Sequence, residues 1–318
     1  MISLSTIAAS FSDEDYYGRV DIGETLVNAL DSVDESYRLL IAAPSVFDPA
    51  KRKQLPVIAA WKINSRDNHL FHPMSAGQVV LSSIETGRIF CVPLVDYSHK
   101  MPAYNNESVE SAPPAVENTG DITYSYNYHV RSLKDFPAEE GTVAVAVLCG
   151  NMLSNVRHLS VVASKQPASA AQAATTVSPA ENPRYYFVQS PQSPAVPTSD
   201  GVVFSTEKNR VEPGRPYMLY GSFRFTSKEQ HPGDIRLHLL LVKTGTSGDP
   251  FHIEVIVPNE FIRRNGTDAT GHFMVDLMKV FFYQPDVRFD IPVETYVTAI
   301  RGCIFSGPFK IVLTGTPR

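Results

Sequence analysis

Residues 216–245 have the sequence PYMLYGSFRFTSKEQHPGDIRLHLLLVKTG, in which two strand patterns flank a polar bend. Aromatic residues dominate the first pattern, at 217–226. In the second, at 234–243, apolar side chains occupy every other position from Ile235 to Leu241. Such alternation places one set of side chains on the buried face of a sheet. The stretch therefore predicts two consecutive strands of a half-buried antiparallel sheet.

Short apolar runs bounded by Pro, Gly, Asp and Ser recur on both sides of this stretch. They lie at residues 38–46, 56–64, 78–84, 88–97, 122–130, 142–149, 158–163, 202–205, 252–257, 288–292 and 309–313. The 24 prolines, 14 tyrosines and 17 phenylalanines suit strands with frequent turns better than helices. Helical patterns are few, and the first is at 22–33. We expect an all-β chain, an antiparallel β-sandwich or jelly roll with two jelly-roll-like domains and few short helices.

Residues 166–199 separate the two halves and consist mainly of Ala, Ser, Thr, Pro and Gln. A segment of this composition buries too little apolar surface to offset the entropy of ordering it. It is interpreted as a linker, or as a strap lying on a surface. The expected domains are residues 1–165, a β-sandwich with a short N-terminal helix, and residues 200–318, a jelly-roll-like domain.

The charge balance argues against a protein whose main task is to neutralise nucleic-acid phosphates. The chain has 28 basic and 33 acidic residues, and binding to DNA or RNA requires clustered Lys and Arg. No window approaches the roughly 20 apolar residues of a membrane-spanning helix. The beginning of the chain lacks the positive region of a secretion signal, so none is expected.

Three cysteines, Cys91, Cys149 and Cys303, lie far apart in apolar surroundings. Their odd number and wide spacing do not indicate a disulfide framework. We expect buried thiols, which mildly favour a reducing compartment.

Motifs that would carry chemistry are weak. His69 and His72, with Asp67 nearby, form the tightest histidine cluster. Histidines three positions apart on a strand face opposite sides, so joint metal binding needs a turn or helix there, and surface histidines are the alternative. The segment 245–249 resembles a phosphate loop but lacks the following Lys, which favours a hairpin turn. No catalytic, cofactor-binding or metal-binding residue is assigned.

The strongest local basic feature is the pair Arg263 and Arg264, together with Lys208, Arg210 and Arg215. These side chains can contact phosphates or acidic partners. The alternative is that they keep loops soluble.

Three stretches resemble strands of the capsid jelly roll in picorna-like viruses. They are residues 216–245, the segment VRFDIPVETY at 287–296, and GTVAVAVLCGNMLSNVRHLSVVAS at 141–164. Their order is similar to that in the two-domain coat proteins of plant secoviruses. The resemblance implies a structural coat protein, not an enzyme and without cofactors, that assembles into an icosahedral shell enclosing RNA. Its partners would be copies of itself and other coat proteins, with weak contact to genomic RNA and no membrane insertion. Its location would be the virion, and the host cytoplasm during assembly.

Two other functions stay open. The first is a two-module β-sandwich binding protein, lectin-like or toxin-accessory, with a concave site lined by Tyr124, Tyr126 and Tyr128. A metal-dependent enzyme built around His69 and His72 is a distant third.

Overall fold

The computed structural model describes residues 11–17, 22–31, 38–64, 73–95, 124–134, 139–162, 185–208, 210–211, 216–226, 233–244, 250–278 and 293–313. The chain divides into two compact units, residues 1–169 with 244–249, and residues 170–243 with 250–318. The first unit contains a three-stranded and a six-stranded sheet, and the second contains a five-stranded and a six-stranded sheet. Most strand pairs are antiparallel. The predicted all-β, antiparallel sandwich is confirmed.

The described part of the first unit begins with a 3₁₀ turn, Asp15–Tyr17, and the helix α1 (Ile22–Asp31). Its three-stranded sheet has the order β1 (Arg38–Ala42), β3 (Leu55–Asn64), β6 (Tyr124–Leu133). Its second sheet has the order β2 (Val46–Phe47), β9 (Arg157–Val161), β7 (Gly141–Cys149), β4 (Gln78–Ser83), β5 (Ile89–Pro93), and β8 (Met152–Leu153) pairs with β7. A four-residue helix, α2 (Pro73–Ala76), precedes β4.

The second unit has one sheet in the order β10 (Tyr185–Tyr186), β17 (Asp268–Asp276), β13 (Met218–Thr226), β11 (Gly201–Thr206), with β16 (Arg263–Asn265) paired to β17. The other sheet has the order β12 (Arg210–Val211), β20 (Phe309–Leu313), β18 (Val293–Arg301), β14 (Ile235–Lys243), β15 (Phe251–Val257), with β19 (Ile304–Phe305) paired to β18. A 3₁₀ turn, Asn259–Phe261, follows β15.

The two units have the same strand topology. The sheet β1-β3-β6 corresponds to β11-β13-β17, and β2-β9-β7-β4-β5 corresponds to β12-β20-β18-β14-β15. The parallel pairs also correspond, because β2 with β9 in the first unit and β12 with β20 in the second are both short and parallel. The small strands β8 and β19 also form equivalent hairpins. The chain is therefore a tandem repeat of one sandwich.

The register repeats as well. Gly141 pairs with Val161 in the first unit, and Val293 pairs with Leu313 in the second. Residues 141–161 therefore align with residues 293–313 without a gap, although few residues are identical. The two units share this register with few identical residues, because many different apolar sequences can fill the same inward-facing positions.

The strand order is that of an immunoglobulin-type sandwich. The sheet β1-β3-β6 matches strands A, B and E, and the sheet β9-β7-β4-β5 matches strands G, F, C and C′. A jelly roll instead combines eight strands in two Greek keys. Here β4 and β5 are consecutive hairpin strands within one sheet, and β7 and β9 pair in that same sheet with the short β8 between them in sequence.

The core of the second unit lies between its two sheets. It includes Phe223 and Phe225 of β13 and Phe273 of β17, all at 0% exposure. Glycine is required beside these rings. A Cβ on Gly221 would lie 2.2 Å from the Phe273 ring, and one on Gly271 would lie 2.5 Å from the Phe223 ring. Each ring thus covers a glycine of the neighbouring strand.

Several local predictions are refined by the structure. The predicted helix is α1, the predicted strand at 38–46 is two strands, β1 and β2, and the central strand β18 is missing from the predicted set. The predicted strand at 288–292 and the turn at 245–249 lie outside the described residues. No helix in the described part of the chain is long and apolar enough to cross a membrane.

The expectation of three buried thiols is wrong for one of them. Cys149 is buried and Cys91 is half-buried, but Cys303 is exposed. Cys303 follows Gly302, whose φ of 55° marks the tight turn between β18 and β19. The residues next to Cys303 in sequence are apolar, but they do not bury it, because it lies at the tip of a hairpin. None of the three, all within the described residues, forms a disulfide.

Candidate functional site

In the second unit, an irregular segment crosses the outer face of the sheet β11-β13-β17. We call this segment, residues 190–200, the strap. The outer face carries the residues of β13 that alternate with its core residues, chiefly Tyr220, Ser222 and Arg224. Residues 190–200 contain no helix or strand, so their backbone carbonyls need partners outside regular structure.

The sheet supplies those partners through side chains. Ser222 Oγ donates to the Pro194 carbonyl oxygen at 2.6 Å, and Arg224 Nη1 donates to the Thr198 carbonyl oxygen at 2.9 Å. Ser205 Oγ, on β11, donates to the Gln192 carbonyl oxygen. Ser222 bonds to Pro194, and Arg224, farther along β13, bonds to Thr198, farther along the strap. The strap therefore runs parallel to β13.

The end of the strap is fixed by a carboxylate. Asp200 Oδ1 accepts hydrogen bonds from both the backbone nitrogen and Oγ1 of Thr226, each at 2.8 Å. The next residue, Gly201, has a φ of 156° and begins β11. The chain therefore reverses at this point, from the strap into the first strand of the sheet that the strap covers.

The sequence of the strap explains its conformation. Pro191, Pro194 and Pro197 recur at every third position. Proline fixes φ, lacks a donor and restricts the residue before it to extended conformations. Pro191 lies in a turn, because the Ser193 nitrogen donates to the Ser190 carbonyl oxygen at 2.9 Å, and the chain bends again at residues 198–200.

The equivalent face of the first unit has a different cover. Helix α1 packs Ile22, Leu26 and Leu30, each at most 1% exposed, into a cluster with Ala60 and other apolar residues of β1 and β3. Tyr128 of β6 packs against this cluster. A helix satisfies its own amides, so the face beneath it can be apolar. The strap has no regular structure to satisfy its carbonyl oxygens, so side chains of the sheet beneath it must donate hydrogen bonds to them.

His272 lies under the strap beside Ser222. The two form a pair across neighbouring strands, and Ser222 Oγ lies 2.8 Å from His272 Nδ1. The single hydroxyl hydrogen is donated to Pro194, so Nδ1 carries the hydrogen of the second bond and donates to Ser222. Burial, with a smaller effect of Arg263, lowers the pKa of His272. This arrangement positions a backbone segment and does not activate a nucleophile, which would require the base to accept from the serine.

A second polar pair lies on the outer face of the other sheet. His238 Nδ1 is 2.8 Å from His252 Nε2, on the neighbouring strands β14 and β15. Lost solvation, and then the charge of His238, lower the pKa of His252. Glu254, opposite His238, forms an ion pair with Arg236 at 3.0 Å. In the described part of the chain, no three His, Cys, Asp or Glu residues are grouped so as to hold a metal ion.

The residues singled out by the sequence do not form this site. His69 and His72 lie outside the described residues, as do the side chains of Tyr124 and Tyr126. The placement of Tyr128 in a concave binding site is wrong, because its ring packs under helix α1, where a Cβ on Gly23 would lie 2.2 Å from it.

The basic residues are placed as follows. Arg264 donates to the Gly233 carbonyl oxygen at 2.8 Å and to Asn259 Oδ1 at 3.1 Å, so it ties loops together. Arg263 and Lys208 are exposed, and the side chains of Arg210 and Arg215 lie outside the described residues. The carbonyl of Lys208 accepts a hydrogen bond from Tyr217 Oη at 2.9 Å.

Sequence reasoning missed Ser222, Arg224 and His272. The available signal was the alternation of polar Tyr220, Ser222 and Arg224 with apolar residues in YGSFRF. That pattern predicts a polar outer face. It does not reveal what lies on that face.

Comparisons with known proteins add little. No family model matches the chain, and no curated protein matches it. Among solved structures, the chain is similar to the crystal structure of a beta-glycosidase from Bacteroides vulgatus, at 9% identity and a TM-score of 0.19. The match covers 92% of this chain and 26% of that one, so this chain spans about a quarter of that protein. A likeness at this level carries no argument about activity.

Proposed function

We propose that the protein is a binding protein made of two sandwich modules, which holds a partner and does not turn over a substrate. The observation that supports this proposal is the tandem repeat of one immunoglobulin-type sandwich, with matching strand order and register. Sandwiches of this type present loops at two ends of a rigid scaffold, where binding residues concentrate. Two linked modules also raise avidity without new contacts, provided that both can engage at once.

The polar clusters of the second unit agree with this proposal. The Ser222 hydroxyl is used to hold a carbonyl, and the rings of His238 and His252 bond to each other. Both arrangements stabilise structure in the way that buried polar groups usually do. Neither provides the acceptor-donor order of a nucleophile and its base.

The coat-protein function stays a prediction, as do the enclosed RNA, the companion coat proteins and the virion location. One observation weighs against its physical basis. A strap that fastens neighbouring copies is expected to lie on a neighbour, whereas residues 190–200 are held by Ser222, Arg224 and Thr226 of the same chain.

Sedimentation velocity of the purified full chain, combined with glycan-array and peptide-array binding, tests the proposal. We expect a discrete species no larger than a small oligomer of the 35.1 kDa chain, and a reproducible class of array ligands. Closed shells, with or without nucleic acid, would overturn it and support the coat-protein prediction. A discrete species without any array ligand would also count against a binding function.

A further inference from the structure

A tight hairpin in the second unit carries a reactive dipeptide at its tip. Strand β16 pairs with β17 so that Asn265 lies opposite Asp268, which leaves Gly266 and Thr267 as a two-residue turn. Asn265, Gly266 and Thr267 are all exposed. Asn265 and Gly266 form the only Asn-Gly pair in the sequence. The turn thus presents a side-chain amide next to a backbone nitrogen that no side chain shields.

The turn explains the glycine but not the asparagine. Gly266 has a φ of 61° and occupies the first central position, where type II′ turns have glycine. Asn265 precedes the central positions, and no described residue other than glycine has a positive φ. The side chain of Asn265 makes no hydrogen bond within the described part of the chain. The fold therefore needs Gly266, whereas it leaves the amide of Asn265 available for reaction.

We propose that Asn265 is a site of self-modification, at which the chain converts its own side-chain amide to a carboxylate and so loosens strand β16. The backbone nitrogen of Gly266 attacks Cγ of Asn265, loses its proton, and the side-chain nitrogen leaves as ammonia. Water then opens the resulting succinimide ring at either carbonyl, which gives Asp or isoaspartate. One water is consumed and one ammonia is released, so no other reactant is needed. The inference does not depend on the proposed binding function.

Two features of the hairpin favour the reaction. Strand β16 has three residues, all exposed, so its end opens at little cost and lets the Gly266 nitrogen reach Cγ of Asn265. Arg263 lies two positions before Asn265 and therefore on the same side of the strand. Its positive charge favours the deprotonated form of the attacking nitrogen.

Comparable groups elsewhere in the described part of the chain are held in place. The side chain of Asn155 accepts a hydrogen bond from the Ile41 nitrogen at 2.8 Å and donates one to the Ile41 carbonyl oxygen at 3.1 Å. Asp200 precedes Gly201 and can form the same ring, but it accepts two hydrogen bonds from Thr226. Both side chains must break these bonds before they can react, which slows them.

The product places like charges across the hairpin. Asp268, the partner of Asn265 across the strands, also forms an ion pair with Arg224 of β13 at 3.0 Å. A carboxylate at position 265 would face Asp268, and like charges directly opposite each other destabilise a sheet. Isoaspartate would also add a backbone carbon next to the two-residue turn, which disturbs the register. Both products weaken the pairing of β16 with β17.

The test follows the purified full chain during incubation at neutral pH in heavy-oxygen water. Peptide mapping by mass spectrometry measures conversion at each asparagine, because heavy oxygen enters only where a succinimide is opened during the incubation. We expect Asn265 to convert at least about tenfold faster than Asn155, whose side chain must first lose its hydrogen bonds. Equal or slower conversion of Asn265 overturns the proposal.

Matched variants assign the reaction to this dipeptide. Asn265→Gln should abolish the fast conversion, because glutamine would have to close a larger ring. Thr267→Ser, an exposed change on the other side of Gly266, should leave the rate unchanged. Fast conversion that persists in Asn265→Gln would overturn the assignment to Asn265.

The structural consequence is measured on the product. Asn265→Asp supplies the carboxylate directly, and its amide hydrogen exchange is compared with that of Asn265→Gln. We expect amides of β16 and of its partner residues in β17 to exchange about two- to fivefold faster in Asn265→Asp, and salt should reduce this difference. Equal exchange in the two variants would overturn the loosening of β16.

Discussion

Ser154 and Ser306 make the same hydrogen bonds at equivalent positions of the two units. The backbone nitrogen of Val147 donates to Ser154 Oγ, and that of Ala299 donates to Ser306 Oγ, both at 2.8 Å. The backbone nitrogen of each serine in turn donates to the carbonyl of the same strand residue, at 3.0 and 2.8 Å. Each hydroxyl also donates to the next carbonyl along the chain. The repeat therefore extends to individual side chains.

We expect Ser154→Ala and Ser306→Ala each to lower the free energy of unfolding by about 1–3 kcal/mol. Each change leaves a buried backbone donor without its partner, which costs its desolvation. Urea unfolding measures the effect. The only tryptophan, Trp61, is buried in the first unit, so its fluorescence should respond to Ser154→Ala and not to Ser306→Ala. Ser160→Ala, an exposed change on β9, is the control. Equal effects of all three changes would contradict this role of Ser154 and Ser306.

Gly221→Ala should destabilise the second unit by about 1–3 kcal/mol. The new Cβ would lie 2.2 Å from the Phe273 ring, and overpacking of this kind outweighs the gain of roughly 0.5–1 kcal/mol from a stiffer unfolded chain. Circular dichroism during thermal and urea unfolding measures the loss. Adding Phe273→Leu should make the double variant more stable than the sum of the single losses predicts. Strict additivity would show that the ring and the glycine do not interact.

Acid should weaken the second unit through His272. Because burial lowers the pKa of His272 in the folded protein, the unfolded chain binds the proton more tightly. His272 therefore leaves the free energy of unfolding unchanged above the unfolded pKa of about 6.5. The free energy of unfolding decreases as the pH falls from there through the folded pKa. Urea unfolding at about pH 7.5 and 5.5 should show a smaller acid loss in His272→Gln than in the wild type. Ser160→Ala, an exposed change on β9 of the first unit, provides the control and should leave the acid loss unchanged.

The cysteines should react with a thiol reagent in the order of their exposure. Cys303 is exposed at a hairpin tip and should be labelled first. Burial raises the pKa of Cys149 to about 12, so its thiolate is scarce and shielded. Mass spectrometry of native protein after brief labelling measures the order. Cys303→Ser should remove the fast phase, and rapid labelling of Cys149 in folded protein would contradict the burial.

Much of the fold was predictable from local patterns. The alternation in DIRLHLLLVK predicts β14, and the spacing at 22–33 predicts helix α1. Strand β18 was not predictable by apolar runs, because it buries Thr295 and Thr298 at 0% and 2% exposure. Strand order was not predictable either, since pairing depends on contacts between residues far apart in sequence.

The site was harder to predict than the fold. The composition of residues 166–199 predicts a linker or a strap, but Tyr185–Tyr186 form strand β10, and Tyr185 and Phe187 pack against the core of the second unit. The bonds that hold the strap join residues such as Pro194 and Ser222, 28 positions apart. Composition contains no information about which carbonyl meets which hydroxyl. Only the folded sheet brings them together.

The position of each cover along the chain has a consequence for synthesis. Helix α1 precedes β1, and the strap precedes β11, so each cover emerges from the ribosome before the strands β1, β3 and β6, or β11, β13 and β17, that lie beneath it. All strands of the first unit, β1 to β9, are synthesised before those of the second, so they can pair while the second unit is still being made. Two repeats of one topology are prone to exchange strands when both are unfolded together. Sequential closure, together with the low identity between the repeats, protects this chain from that error.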